Sequence, residues 1–251
     1  GNLDPETVPV VIPFSEGLLS LKGDAVKPLT GISFEGITFS HSSWQIPATG
    51  YAGIQACHFD PRSGDSEGNF VPAAVQAEWT DGCDFRNCTF SHLGGSGLLL
   101  GTGCRANSVS ECTFTDISGN GIMIGEGKDR QVRARSWWES APEEAAEGNT
   151  VAGCSITGCG RQFFGAVGIW CGLAAGSVLL DNEISDLPYS GISIGWMWNP
   201  DPTPCRENTA EGNHIHHIMQ ILSDGGGIYM LGLQPGSRLT RNRIHAVRIN
   251  A

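Results

Sequence analysis

The sequence has no long apolar run and is poor in basic residues. Its 251 residues include 15 lysines and arginines against 26 aspartates and glutamates, which gives a formal net charge of −11. Such a surface does not attract phosphate backbones, so we expect no nucleic-acid partner, and a polyanionic sugar is also disfavoured. No apolar stretch approaches the roughly 18–20 residues that cross a bilayer, so we expect no membrane partner either.

The nine cysteines contain no C-x-x-C pair. The closest pairs, Cys83 with Cys88 and Cys154 with Cys159, are five residues apart, which is wider than zinc sites use. Nine is an odd number, and the chain is larger than the small domains that depend on disulfides. We therefore predict unpaired thiols packed in a core, with disulfides and metal ligation as the alternatives.

Glycine is abundant, with 35 residues and no Gly-X-Y period, which is typical of many tight turns between short strands. A unit recurs that begins with a Cys or Asn and ends with Gly-(Ile/Leu)-x-(Ile/Leu)-Gly. Its copies begin at Cys88, Cys112, Cys154, Asn182, Asn213 and Asn242. The glycines at 97 and 121 are 24 residues apart, and those at 168 and 191 are 23 apart. This period does not fit ankyrin or TPR helices or leucine-rich repeats, and it predicts a three-sided β-coil.

The predicted fold class is all-β, a right-handed parallel β-helix in which one chain forms a solenoid of three-strand coils. Coils stacked about 4.8 Å apart cover one another, so the Cys/Asn column should form an inward-facing ladder. Residues 1–30 do not match the repeat and are assigned to a flanking or capping segment. Residues 31–251 form the β-helix, with loop insertions near 60–72 and 126–148. The repeat stops at Ala251 without a capping segment, so we expect a C-terminally truncated piece of a longer protein.

Two five-residue insertions, within 159–166 and 218–224, fall at the same corner of the coil. They flank a face whose predicted aromatic lining suits a sugar, because C–H faces of sugars stack on rings while hydroxyls meet polar groups. The substrate-binding candidates on or beside this face are Trp170, Trp196, Trp198, Tyr229, Arg161 and Gln162. Stacking of the aromatic residues on one another within the solenoid is the alternative.

Asp224 is the candidate catalytic residue. It lies between an insertion and a strand, and the three glycines that follow it leave room for a ligand. A carboxylate in this place can act as acid, base or nucleophile, whereas an aspartate that caps a turn is the alternative. The equivalent position one coil earlier is Pro188, so the second carboxylate of an acid pair is expected after Ala251.

Three further residues are predicted to support this site from nearby: Asp186, His217 and Glu183. His214 and His216 share one face of a strand, because alternate residues of a strand point the same way. The sequence specifies no third ligand beside them, so no metal site and no cofactor are predicted.

Two segments carry a family resemblance: Asp-Leu-Pro-Tyr-Ser-Gly-Ile-Ser-Ile-Gly-Trp at 186–196, and the segment 213–229 with its Ser-Asp-Gly-Gly-Gly motif. They resemble the large bacterial β-helix proteins of glycoside hydrolase family 141, which includes α-L-fucosidases and xylanases. The resemblance extends from 18 to 251 and is most specific at 161–232. It implies a catalytic role for Asp224, with the second acid in the following coil.

The resemblance also implies an exported enzyme, extracellular or periplasmic, although no signal peptide is visible at Gly1. The predicted function is that of a glycoside hydrolase acting on a plant or microbial polysaccharide or oligosaccharide. A non-catalytic glycan-binding β-helix and a polysaccharide lyase are the alternatives. A lyase needs basic residues to neutralise a uronate, and the predicted face offers only Arg161 and Arg206. The oligomeric state is left open.

Overall fold

The computed structural model describes residues 10–48, 50–53, 55–59, 70–128 and 130–248. Within these ranges the chain coils through three seven-stranded parallel sheets, and each coil contributes one strand to every sheet. The predicted all-β solenoid of three-strand coils is confirmed. None of the helices in these ranges is long and apolar enough to cross a membrane.

The three sheets are named here by number. Sheet 1 contains Leu19–Lys22, Ala73–Glu78, Ser96–Leu100, Ile122–Ile124, Ile169–Cys171, Ile192–Ile194 and Ile228–Met230. Sheet 2 contains Ser33–Glu35, Asp84–Arg86, Ser108–Ser110, Thr150–Ala152, Val178–Leu180, Thr209–Glu211 and Arg238–Thr240. Sheet 3 contains Thr38–Ser42, Thr89–Leu93, Thr113–Ile117, Ser155–Cys159, Glu183–Ser185, His214–Ile218 and Arg243–Val247.

The remaining elements are short. Leu29–Thr30 pairs with Thr80–Asp81 in parallel, and Gln131–Val132 pairs with Arg135–Ser136 in an antiparallel hairpin. A helical turn, Trp137–Ser140, and a 3₁₀ turn, Pro142–Glu144, follow that hairpin.

Residue alternation decides which side chains fill the solenoid. In sheet 2 the middle residue of each three-residue strand faces inward, as with Val109, Val151 and Leu179. In sheet 1 the Gly-Ile-x-Ile-Gly pattern has the opposite phase, so the two flanking residues, such as Ile122 and Ile124, are buried. Each such side chain contributes about 1.5–3 kcal/mol on burial. The middle positions of sheet 1 therefore point outward.

The predicted ladder of Cys and Asn is confirmed. Its members Cys88, Cys112, Cys154, Asn182 and Asn213 are each at most 1 % exposed. They occupy successive coils, and the Asn182 side-chain amide donates a hydrogen bond of 2.9 Å to the Asn213 Oδ1. The backbone N–H of Cys88 donates to the Cys112 sulfur at 3.4 Å. Each rung thus satisfies a backbone group of its neighbour, since a buried polar group left unpaired is costly.

A second amide column lies just before the strands of sheet 2, outside the repeat unit defined above. The Asn107 side chain donates to Asn149 Oδ1 at 2.9 Å, and the Asn208 Oδ1 accepts from the backbone of Ser177 at 2.9 Å. The sequence signal was available, because Asn directly precedes Ser or Thr at 107, 149 and 208.

The solenoid begins earlier than predicted. Leu19–Lys22 pairs in register with the second strand of sheet 1, with Leu19 opposite Val75. The assignment of 1–30 to a flanking segment is therefore wrong from Leu19 onward, since these residues already contribute strands. The strand is flanked by Gly17 and Gly23, which are two residues further apart than the glycines of the later copies, so the repeat pattern did not reveal it.

The second predicted insertion interrupts the coils between the strands Ile122–Ile124 and Thr150–Ala152. Residues 60–69 of the first lie outside the described ranges. The described residues of 43–59, here called the covering loop, contain no strand, and the Asn120 side-chain amide donates to the Ala56 carbonyl at 2.6 Å. The second insertion, here called the excursion, runs from 126 to 148. Its Trp137 is buried and donates to the Gly127 carbonyl at 2.8 Å.

All nine cysteines are free and buried. Burial raises the pKa of both Cys159 and Cys171 to about 12, so neither thiol ionises readily. We expect Cys159 and Cys171 of the native protein to react slowly with an alkylating reagent at mildly alkaline pH, because the thiolate is the reactive form. Denaturation without reductant should release all nine thiols. Mass spectrometry after alkylation counts them, and each missing pair of labels would reveal a disulfide.

Candidate functional site

A row of outward side chains runs along sheet 1. Successive coils place Leu99, Met123, Trp170, Ser193 and Tyr229 in register with one another. Adjacent members are about 4.8 Å apart along the stack because they belong to neighbouring strands. This outward row is continuous, and it is the surface on which the covering loop and the excursion lie.

The covering loop buries two of the predicted aromatic residues. Trp170 and Trp196 are each 2 % exposed. The His58 ring stacks on Trp170 at a centroid distance of 4.9 Å and meets Trp196 edge-on at 4.8 Å. The predicted open face is therefore absent at these two rings, because a loop without a repeat signal lies over them. Their contact with a sugar stays a prediction.

Two other predicted aromatic residues are accessible. Trp198 is 51 % exposed, packs edge-on against Trp196 at 5.1 Å and carries the Lys128 ammonium 4.7 Å above its ring. Tyr229 is half-buried at the last position of the outward row. These two rings can stack on a sugar without any movement of the covering loop.

A cleft of about 510 Å³ opens on sheet 1 between the covering loop and the excursion. Leu99, Met123 and Trp170 of the outward row line it. Its charged lining residues are Lys22, Glu78, Glu126, Arg130 and Glu144. This volume and mixed lining suit a small polar ligand, and the sequence analysis anticipated only Trp170 among these residues.

Arg130 joins two of the cleft carboxylates. Its Nε lies 2.6 Å from Glu126 Oε2 and its Nη2 lies 2.8 Å from Glu126 Oε1, while the same Nη2 contacts Glu144. The Thr102 hydroxyl also donates to Glu126 at 2.7 Å. Both carboxylates are thus already ion-paired, and they form a wall of the cleft rather than free acids.

Arg130→Gln should loosen the excursion. The change leaves Glu126 and Glu144 facing each other without the cation, and loss of a partly buried charged hydrogen bond costs about 1.5–3 kcal/mol. We expect faster limited proteolysis and faster hydrogen exchange within 126–148, with the sheets still protected. The matched control is Arg133→Gln, an exposed arginine of the same excursion. Equal protection of both variants would show that Arg130 does not hold this segment.

Asp224 lies exposed in a turn, with a left-handed φ of 62°. Its backbone carbonyl accepts a 2.6 Å hydrogen bond from the Tyr189 hydroxyl. Burial raises the pKa of Tyr189, so the phenol keeps the proton that it donates. Within the described ranges no residue bonds to the Asp224 carboxylate, which is therefore available to a ligand.

Two of the three glycines after Asp224 are required by packing. A Cβ on Gly225 would lie 2.4 Å from the Ser190 hydroxyl, and one on Gly227 would lie 2.5 Å from Ile244 Cγ2. Only Gly226 has open space, since a Cβ there would meet the Ile228 carbonyl oxygen at 3.9 Å. The prediction that all three glycines leave room for a ligand is therefore corrected for Gly225 and Gly227.

Asp186 and His217 occupy equivalent turns at the end of sheet 3, with φ values of 53° and 50°. The Gln220 side chain connects them, since it lies 3.4 Å from Asp186 Oδ1 and donates to the His217 carbonyl at 2.7 Å. Arg161 is exposed and lies 3.8 Å from Asp116 Oδ1, and Gln162 is exposed beside it. These four predicted residues belong to the corner after sheet 3, and the outward row lies on sheet 1.

Glu183 lies on the outer face of sheet 3, directly opposite His214 in the next coil. Its Oε1 is 3.1 Å from His216 Nε2 and 3.9 Å from His214 Nδ1. The structure thus supplies the third ligand type that the sequence did not specify beside the two histidines. The carboxylate comes from the preceding coil, 31 residues earlier in the sequence, so the local sequence around the histidines does not reveal it.

The sequence matches the family model described as a right handed beta helix region over residues 73–251, so the chain belongs to the right-handed β-helix family. A solved structure described as "Glycoside hydrolase" is 31 % identical with a TM-score of 0.84, and the match covers 94 % of this chain and 43 % of that one. The resemblance to glycoside hydrolase family 141 is confirmed.

A second solved structure, described as "The complex structure of XylC with xylose", is 10 % identical with a TM-score of 0.52. The match covers 84 % of this chain and 36 % of that chain, and at this identity it shows the shared fold alone. The chain therefore spans less than half the length of either structure. No curated protein matches the sequence.

Proposed function

We propose that this β-helix belongs to a glycoside hydrolase that acts on a plant or microbial polysaccharide or oligosaccharide, with Asp224 as one carboxylate of its acid pair. The observation that carries the proposal is an exposed, unpaired carboxylate at the coil that ends the outward row. The 31 % identity to a glycoside hydrolase over nearly the whole chain supports the reaction class. We place the protein outside the cytoplasm, where such polymers occur.

The outward row leads from the cleft to the coil of Asp224. A sugar can lie along it only with the cover over Trp170 and Ser193 displaced, because both are at most 2 % exposed. From Trp170 to Tyr229 there are two coil steps, so the cleft and the coil of Asp224 are about 10 Å apart along the stack. Two buried polar atoms on this path, Trp170 Nε1 and Ser193 Oγ, have no hydrogen-bond partner in the described part of the chain. Such atoms are costly when unmet, and sugar hydroxyls have the chemistry to pair with them.

The spacing of coils also bears on stereochemistry. Retaining glycosidases hold their carboxyl groups about 5–5.5 Å apart, and inverting enzymes about 6.5–9.5 Å apart. An acid in the column of Asp224 one coil further on would stand about 4.8 Å away and would suit retention. An acid two coils away would suit inversion. The position one coil earlier, Pro188, supplies no carboxylate.

A glycan-binding β-helix without hydrolysis is the second candidate. It is favoured by the left-handed turn at Asp224 and by the ion pairs that already occupy Glu126 and Glu144. In that case the aromatic and polar groups of the outward row would bind sugar, and Asp224 would serve the turn.

The two candidates are separated by assays of a chain that carries both carboxylates of the acid pair, on aryl α-L-fucosides, aryl β-xylosides and the corresponding polysaccharides. We expect release of the aryl group and of reducing sugar. Binding without release, measured by calorimetry on the same ligands, would contradict the hydrolase and support the binding protein. Products with a new carbon–carbon double bond, detected by ultraviolet absorbance, would instead identify a lyase.

A further inference from the structure

The outer face of sheet 3 changes character along the solenoid. In the earlier coils its outward positions carry hydroxyl side chains, for example Thr113 and Thr115, then Ser155 and Thr157. In the last three coils one column carries Glu183, His214 and Arg243, and the other carries Ser185, His216 and His245. Surface strands need only polar residues here, so threonine-like side chains would serve the fold equally well.

Three of these side chains converge. Glu183, His214 and His216 each offer one ligand atom, and these atoms all lie within 4.8 Å of one another. No other such group of three is found in the described part of the chain. Strand register explains the convergence, because Glu183 pairs with His214 across adjacent coils and His216 follows on the same face.

The imidazole rings are held in place by their neighbours. His216 points Nε2 toward Glu183, while its other ring nitrogen lies 2.7 Å from His217 Nδ1. The ring of His245 stacks on that of His216 at 5.2 Å and 6°, and its Nε2 lies 2.9 Å from His214 Nε2. Histidines that bind metals characteristically use one ring nitrogen for the ion and the other for an orienting partner.

We propose that Glu183, His214 and His216 bind one divalent ion of the zinc class, with His217 orienting His216. Two imidazoles and a carboxylate form a ligand set that zinc accepts, and imidazole also suits copper and nickel. With bonds of about 2.0–2.2 Å, tetrahedral ligand atoms stand about 3.3–3.6 Å apart. The observed separations of 3.1 Å and 3.9 Å to Glu183 Oε1 lie on either side of that value.

The site is separate from the proposed sugar path, because it lies on the outer face of sheet 3 and the outward row lies on sheet 1. Its side chains are 16–58 % exposed, so an ion can enter from solvent. Bound metal would join the coils of Glu183 and His214 and should raise the unfolding temperature by mass action.

The test is titration of the untagged chain with zinc chloride by calorimetry, since a histidine tag would bind the ion itself. We expect one zinc per chain, and cobalt(II) in its place should give the visible absorption of a site with nitrogen ligands. His214→Gln, His216→Gln and Glu183→Gln should each weaken zinc binding, the two histidine changes by about 100-fold or more. All three positions are on the outer face, so unfolding without metal should stay nearly unchanged.

The matched control is the double variant His41→Gln with His92→Gln. These rings also stack on sheet 3, at 5.0 Å, and His92 lies 2.6 Å from the Asp116 carboxylate, but they form no convergent triad. Zinc affinity of this variant should equal that of the parent. The proposal is overturned if the parent binds no zinc, if the triad variants keep its affinity, or if the control variant loses as much.

Discussion

Asp224→Asn is expected to lower kcat for glycoside hydrolysis by about 10²–10⁴-fold, the usual contribution of a general acid or base. Asparagine keeps the size of the side chain and its turn, but it cannot transfer a proton or form the glycosyl intermediate. The Tyr189 hydrogen bond goes to the backbone carbonyl of residue 224, so the substitution leaves it intact. KM should change little. Steady-state rates on the best aryl glycoside check the prediction.

The matched control is Asp181→Asn. Asp181 is also exposed and also has a left-handed φ, of 51°, but it lies in the turn between sheets 2 and 3, away from the outward row. Its variant should keep the parent rate. Retained activity in the Asp224 variant would assign that residue to the turn alone.

Asn182→Ala is expected to lower the free energy of unfolding by about 3 kcal/mol or more. The Asn182 side chain accepts from the Cys154 backbone at 3.0 Å and donates to the Val151 carbonyl at 3.0 Å and to Asn213 at 2.9 Å. Alanine orphans these groups inside the solenoid, where each unpaired group costs about 1–3 kcal/mol. Chemical denaturation measures the loss as a shift of the midpoint.

Asn182→Cys is the informative companion variant. The same column carries cysteine in three earlier coils, where the Cys112 sulfur accepts from the Cys88 backbone at 3.4 Å. We therefore expect the cysteine variant to lose less stability than the alanine variant. Thr150→Ala, on the outer side of sheet 2, should stay within about 0.5 kcal/mol of the parent. A cysteine variant no better than alanine would contradict the ladder account.

The inward-facing side chains could be predicted from the sequence, because stacked coils repeat the same residue types at the same place. Each coil covers the next in register, so a column such as Cys154, Asn182 and Asn213 is visible as a residue preference at a fixed place in the repeat. The strand at Leu19 was missed because neither it nor its partner strand Ala73–Glu78 has the glycine spacing of the later copies. Periodicity reveals a coil only where both corner and strand residues are repeated.

The outer structure could not be predicted in the same way. The path of the covering loop depends on tertiary contacts such as His58 on Trp170, and no repeat encodes them. Trp170 and Trp196 were therefore predicted to be exposed, whereas the structure buries both. The glycines at 225 and 227 were attributed to a ligand although packing against neighbouring coils requires them.

The histidine cluster could have been found by aligning the outward-facing residues of successive coils. Glu183 and His214 are 31 residues apart in sequence but are paired across one coil step. The prediction placed Glu183 beside the sugar face, whereas the register places it beside the histidines on sheet 3. The register of the coils determines which residues are neighbours on the inner and on the outer face. Aligning the repeats therefore predicts the outward-facing columns as well as the inward-facing ones.

The central claim is that sugar is cleaved on the outer face of sheet 1 at Asp224. A crystal structure of the Asp224→Asn variant with its preferred oligosaccharide tests this most directly, because an inactive variant preserves the bond. We predict a chain of sugar rings along Trp170, Ser193 and Tyr229, with the cover over Trp170 and Ser193 displaced. A glycosidic oxygen or anomeric carbon should lie about 3 Å from the side chain of residue 224. Sugar bound on sheet 2 or sheet 3, or on sheet 1 with residue 224 out of reach, would contradict it.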